Sequence, residues 1–364
     1  MKGDRNKLPT EIYSGSNTGG HCQGIAVDRV HGYIYYSFTT QLVKTDMRGN
    51  LIGSITGLFG HLGCIDFRES DGRVYGSLEY KNDEIGMGIL GSLGKSGQHS
   101  GTAFYAAVFD VDRIDRIGMD ACGDGIMKTV YLKDVVDDYN AMTTNRGREV
   151  LHRFGCSGID GLTFGRIPGG DDMREYMFVA YGVYGDTERS DNDCQVILCY
   201  EGAELKKYER PLGEGDMHTV EPLAPEHKFF VYTGNTEYGV QNLEYDEATG
   251  NFVMAVYRGR KKEFPNYPMF VVDGSKKPYV GVVPGVEPET RGEMLCLLDN
   301  GSGEKTPGFG FKYGSTGLCS VGNGLFYVSH DGRTQNGFDT HVRLYRWNGT
   351  DPLERVCGSD ETGV

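Results

Sequence analysis

Between His21 and Gly57 the chain carries four short apolar runs, at 24–27, 33–38, 41–45 and 51–56. Each is rich in β-branched and aromatic residues and is bounded by Gly, Asp or Asn. That pattern predicts a four-stranded antiparallel meander. A second copy begins at His61. HLGCIDFRESDGRVYGSLEYK lies on HCQGIAVDRVHGYIYYSFTTQ with a constant offset, placing His61 on His21, Ile65 on Ile25, Gly72 on Gly32, Tyr75 on Tyr35 and Ser77 on Ser37. Its third and fourth runs arrive late, at 102–109 and 127–132. Further copies start at Asp160 (DGLTFG), Gln241 (QNLEYD) and Gly317 (GLCSVG).

Five copies of one small sheet predict an all-β, five-bladed β-propeller occupying 1–364 as one domain, because radial repetition protects sheet edges. The segment 291–314 falls in no copy, so six blades is the alternative. Insertions are expected at 82–101 and 113–152, and the stretch VVDDYN from Val135 reads as a short helix or an acidic loop. The N-terminal EIYS resembles the segments that precede other copies. Residues 11–14 are therefore expected to supply the outer strand of the last blade and close the ring.

Composition agrees: 55 Gly and 23 Tyr suit short strands joined by tight turns. The net charge of -14 argues against a nucleic-acid partner. No run approaches the roughly 18 apolar residues of a membrane span. With no apolar leader segment, a cytoplasmic location is expected, or a secreted one had a leader been cleaved. The nine cysteines are an odd number without CxxC pairs, which favours reduced thiols. Cys22, Cys64, Cys156 and Cys319 fall near inner-strand starts and are expected to fill the ring centre as small hydrophobes.

In a propeller, the starts of the inner strands and the ends of the second strands share one face, where a ligand is expected. His21 and Gln23, His61, Asp160, and Gln241 with Asn242 open inner strands. Glu79, Tyr181, Tyr257 and Arg258 with Lys261, His330 and Arg333 follow second strands. His21, His61, His330 and Gln241 could hold one divalent metal (Mn, Zn or Ca), since imidazole is a common ligand. Asp160 and Glu79 form the best carboxylate pair for acid–base or nucleophilic work on a glycosidic bond. Tyr257, Arg258, Lys261 and Arg333 form a phenolic and cationic set suited to an anionic ligand. A proton-abstracting Tyr257, His21 or His61 beside a neutralised carboxylate would serve a uronate lyase. Phosphate-cradling loops, GxSxG elbows, EF-hands and zinc-finger spacings are absent.

At the level of blades, the chain resembles β-propeller enzymes that act on carbohydrates. The five-fold count is similar to that of arabinanase-type and fructan-processing glycosidases. The His, Gln and Arg content of the mouth resembles oligogalacturonate lyases, which hold an axial metal through histidines and a glutamine. DGLTFG and QNLEYD resemble segments of propeller lactonases and phytase-like phosphoesterases, which use calcium. The resemblance implies a carbohydrate-active lyase or glycoside hydrolase working on a small anionic sugar or oligosaccharide. A calcium-dependent hydrolase and a non-catalytic propeller that binds a sugar or a protein are the other readings.

Overall fold

A computed structural model describes residues 8–95, 101–213, 217–347 and 353–357. Five sheets stand around a central axis. Their innermost strands are Cys22–Asp28, His61–Arg68, Cys156–Gly165, Thr236–Asp246 and Leu318–Gly322, which open blades I to V and touch their neighbours in turn. Blade I continues outward through Tyr33–Phe38, Gln41–Asp46 and Leu51–Thr56. Blade II continues through Arg73–Tyr80, Ala103–Phe109 and Met127–Tyr131, close to the runs expected from sequence. The chain folds as a five-bladed β-propeller.

Each blade is covered on both faces, so its strands read as continuous apolar runs; Tyr35 and Tyr36 are adjacent and both fully buried. One apolar layer separates each neighbouring pair. Tyr35 and Leu78 belong to the I–II layer and Val108 and Leu162 to the II–III layer. Phe178 and Phe252, with ring centroids 4.6 Å apart, sit in the III–IV layer. Val253 and Val328 belong to the IV–V layer, and Ile25 and Tyr327 to the V–I layer. Fully burying one large side chain of this kind contributes roughly 1.5–3 kcal/mol, so these layers hold the ring together.

The recurrent serine is explained by the same geometry. Ser37 Oγ donates to Gly63 O at 2.6 Å, and Ser77 Oγ donates to Asp160 O at 2.6 Å. Each second-strand serine thus ties its blade to the inner strand of the next. Cys22, Cys64, Cys156 and Cys319 are buried thiols near the axis, and none of the nine cysteines is in a disulfide.

Ring closure follows the expected route. Glu11–Tyr13 pairs antiparallel with Gly337–Arg346 of blade V, Glu11 opposite Arg343. The segment that suggested a sixth blade has another role. Arg291–Met294 runs parallel to His227–Tyr232 and extends blade III, carrying Tyr279–Val282 on its far edge. The chain then skirts blade IV, meeting its third strand, Met269–Val272, at the bridges Val272–Leu297 and Met269–Phe309 without forming a further ladder among the described residues. Asn300 to Gly310 is too rich in Gly and too interrupted by Pro307 to build a ladder there.

The insertions fold on blade II. Helix Glu84–Ser92 is capped by Asp83, whose carboxylate accepts from Gly86 N at 2.9 Å. The acidic stretch is a helix, Lys133–Asn140, followed by the hairpin Met142–Asn145 and Arg148–Leu151.

Candidate functional site

The inner strands of blades II, III and IV begin around one cluster of ionisable groups. His61 Nδ1 lies 3.5 Å from Glu79 Oε1 and 3.6 Å from Asp160 Oδ1, long for direct hydrogen bonds but close for charge. Glu79 and Lys81 stand two residues apart, so both point to the same side of blade II. Lys81 Nζ meets Glu79 Oε1 at 2.6 Å and donates to Ser157 O at 2.7 Å. Glu79 Oε2 accepts from Ile159 N at 3.1 Å. This fit requires Gly158, at φ 131, because a Cβ there would stand 2.0 Å from Glu79 Oε2. Asp160 Oδ2 accepts from Gln241 Nε2 at 3.0 Å, and Gln241 also donates to Tyr238 O.

This arrangement pushes two neighbouring carboxyls in opposite directions. Burial raises Asp160 to about 7; the His61 charge opposes the rise and Glu79 adds to it. Burial would raise Glu79 too, but Lys81 and then His61 outweigh it and hold Glu79 below the usual range. Burial would lower His61, yet its contacts with Glu79 and Asp160 raise it. His21 stands close enough to feel that imidazole: burial, then the His61 charge, lower it. Gln23 Nε2 lies 3.0 Å from His21 Nε2 and 3.2 Å from Thr39 Oγ1.

Blade V supplies a second carboxyl that the sequence reading did not pair with Asp160. Asp331 Oδ1 accepts from Cys22 N at 3.2 Å. Burial raises Asp331 to about 6, with the Cys22 N–H opposing the rise and Asp339 adding to it. Both Asp160 and Asp331 raise the Tyr257 phenol, after burial and against a bond to Ser315, so that hydroxyl lies within the field of each. Tyr238 stands at the rim, 44% exposed, with its ring edge-on to Tyr257 and its backbone at φ 62.

Other expected site residues lie elsewhere. His330 faces away from His21 and His61: adjacent strand residues point to opposite sides, and Asp331 has the channel side. Its Nε2 meets Tyr345 Oη at 2.8 Å and its Nδ1 meets Arg343 at 3.2 Å. Burial, then Arg343, lower it to about 4. Lys261 is buried and donates to Arg189 O and Asn192 Oδ1, with Asp193 as its ion pair. It braces loops and does not reach a ligand at the mouth. Arg258 donates to Asn266 O at 2.8 Å, and Arg333 lies over the Phe338 ring, so the expected cationic set does not gather. Tyr181 is fully buried in the II–III layer, its hydroxyl donating to Asp138 Oδ2 at 2.9 Å. Asn242 crosses from blade IV to blade I through Gln23 O at 2.9 Å and also reaches Ser315 O. Glu79, with both oxygens engaged, tunes its neighbours and leaves no oxygen for a nucleophile's role. Among the described residues no group of three His, Cys, Asp or Glu side chains is placed to hold a metal ion.

No protein-family model matches the chain, and no curated protein matches it. Solved structures resemble it at low identity. A GH43 β-1,3-galactosidase with galactodeoxynojirimycin aligns with TM-score 0.42 and 12% identity over 94% of each chain. The Dos1 propeller aligns with TM-score 0.35 and 9% identity over 92% of this chain, which spans 58% of that one. A protein of unknown function from Bacteroides caccae aligns with TM-score 0.30 and 10% identity, over 76% of this chain and 86% of that one. The five-bladed assignment rests on the chain's own strand pairing.

Proposed function

We propose that this mouth is the active site of a carbohydrate-active hydrolase that cleaves a glycosidic bond by acid–base chemistry. The observation that carries the reading is the convergence of two carboxyls on one mouth: Asp160, held by Gln241 beside His61, and Asp331 of blade V, held by Cys22 N. Burial keeps Asp160 protonated up to about 7, as a general acid requires. Neutral Asp160 gives its proton to the leaving glycosidic oxygen as the C–O bond breaks. Ionised Asp331 takes a proton from the water that attacks the anomeric carbon, as in two-carboxylate glycoside hydrolysis. His61 and Gln241 orient Asp160, and the Tyr257 hydroxyl lies within the field of both carboxyls. A hydrolase is favoured over a lyase, and a neutral sugar over an anionic one, because Arg258, Lys261 and Arg333 are engaged elsewhere.

Turnover of aryl glycosides and oligosaccharides should follow a bell-shaped pH profile. Activity falls below about 6 as Asp331 gains a proton and above about 7 as Asp160 loses one. A panel that gives neither product nor a ligand-induced thermal shift would overturn the reading and favour a propeller that binds a different partner. A divalent ion at His21, His61 and Gln241 is tested in the same assay. A loss on EDTA treatment, reversed by Mn, Zn or Ca, would reassign those side chains to a metal.

Tyr238 gives a separate check. A left-handed backbone at a tyrosine costs on the order of 1–3 kcal/mol and persists where function requires it. Tyr238→Gly should raise Tm while raising KM for saccharides several-fold, with kcat less affected. An unchanged KM would remove Tyr238 from the binding surface.

A further inference from the structure

The inner strands end at the opposite mouth in a cavity of about 280 Å3, to which all five blades contribute. Val27 and Arg29 come from blade I, Asp66 to Glu69 from blade II, Thr163 to Arg166 from blade III, Glu244 and Tyr245 from blade IV, and Cys319 to Gly322 from blade V. Two carboxyls lie at the cavity's centre. Asp66 Oδ2 accepts from Thr163 Oγ1 at 3.0 Å and Phe164 N at 2.9 Å. Glu244 is only 5% exposed; its Oε1 accepts from Ser320 N at 2.7 Å, and its Oε2 has no hydrogen-bond partner among the described residues. Glu244 lines the cavity, so this oxygen is open to a proton or a cation that enters there.

The surroundings indicate which cation. The cavity is much larger than a bare ion, and no trio of ligating side chains is present among the described residues. Phe67, Phe164, Tyr245 and Met173 give it apolar and aromatic walls. The lining holds five carboxyl groups, those of Asp66, Glu69, Glu175, Glu244 and Glu247, against the guanidinium groups of Arg29, Arg68 and Arg166. Arg68 is already bound to Glu175 at 2.6 Å. Carboxylates backed by aromatic faces recognise ammonium groups carried on hydrocarbon.

We propose that the lower mouth binds a small organic ammonium compound, its nitrogen between Asp66 and Glu244 and its carbon chain against Phe67 and Tyr245; the Phe164 ring is already covered by the Arg68 guanidinium, 4.9 Å from its centroid. Burial, then the Asp66 charge, hold Glu244 well above the carboxylate range, with Asp246 adding to the rise and Ser320 N–H opposing it. Asp66 is itself raised to about 6 by burial, with Glu175 adding to the rise. The thiols of Cys64 and Cys319 flank both carboxyls and stay neutral, because burial raises them first. A cation placed between the two carboxyls would favour the ionised form of Glu244.

Putrescine titrated calorimetrically at pH 7.5, in two buffers of different ionisation enthalpy, measures proton release directly on the unaltered protein. Binding should release protons and raise Tm at saturation. Glu244→Gln keeps the shape and the neutral form, so it should weaken binding at least tenfold and abolish proton release. Asp160→Asn, at the far mouth, should leave both unchanged, so this site can fail or stand without the proposed hydrolase. No binding, binding without proton release, or an equal response to KCl or CaCl2 at matched ionic strength would overturn the assignment.

Discussion

An Asp160→Asn variant is expected to lose about 10²–10⁴-fold in kcat on substrates with poor leaving groups, the range contributed by a positioned general acid. The loss should shrink on aryl glycosides whose phenolate departs without a proton, and the alkaline limb of the pH profile should disappear. Stability should move the other way. The folded protein holds this proton up to about 7, whereas an unfolded aspartate releases it near pH 4. Wild-type stability therefore falls as the pH rises through that window, and the uncharged amide removes the fall. At pH 8 the variant should melt several degrees higher than wild type, with little difference at pH 4. An equal loss on every leaving group, together with a lower Tm at pH 8, would mean that Asp160 is structural.

Lys81→Met is the second large effect, and it acts on the scaffold beneath the chemistry. Lys81 and Glu79 are each 4% exposed and meet at 2.6 Å. Removing one partner of a buried pair leaves an uncompensated charge and typically costs about 3–5 kcal/mol. Glu79 would then be drawn toward its protonated form, its bond from Ile159 N would weaken, and His61 would lose the Glu79 part of its upward shift while keeping that of Asp160. Denaturant unfolding should show the destabilisation, and the activity optimum should shift. The double variant Glu79→Gln/Lys81→Met should recover part of the stability, because neither charge is then stranded. A Lys81→Met protein as stable as wild type would show that the pair is hydrated.

Much of the architecture was legible because a blade covered on both faces writes itself as runs of Tyr, Val, Ile and Phe. The serine in YYSF and YGSL repeats because each hydroxyl bonds the next blade. The ring's closure was readable because EIYS resembles the segments that precede other copies. Side-chain direction was less accessible. Strand alternation does decide between His330 and Asp331, but it needs one fixed contact to set the phase, and Cys22 N supplies it only in three dimensions. Glu79 and Lys81 share a face by the same rule, a clue to a buried pair that the sequence alone permits. Lys261 sits in a loop without periodicity, so nothing local announces that it turns inward to Asn192. The lower cavity was missed because its carboxyls end inner strands, where Asp66 and Glu244 resemble ordinary solvated strand termini.

The strand Glu11–Tyr13 that completes blade V also sets a clock for synthesis. Glu11 binds His341 and Arg343, contacts that span 330 and 332 residues. During translation this strand has no partner until residues 341–343 have left the ribosome. Through that interval the ring is an open arc, with the outer faces of its first and last sheets uncovered. A chain stopped before residue 337 cannot close, and its exposed ends are what a chaperone or protease would meet.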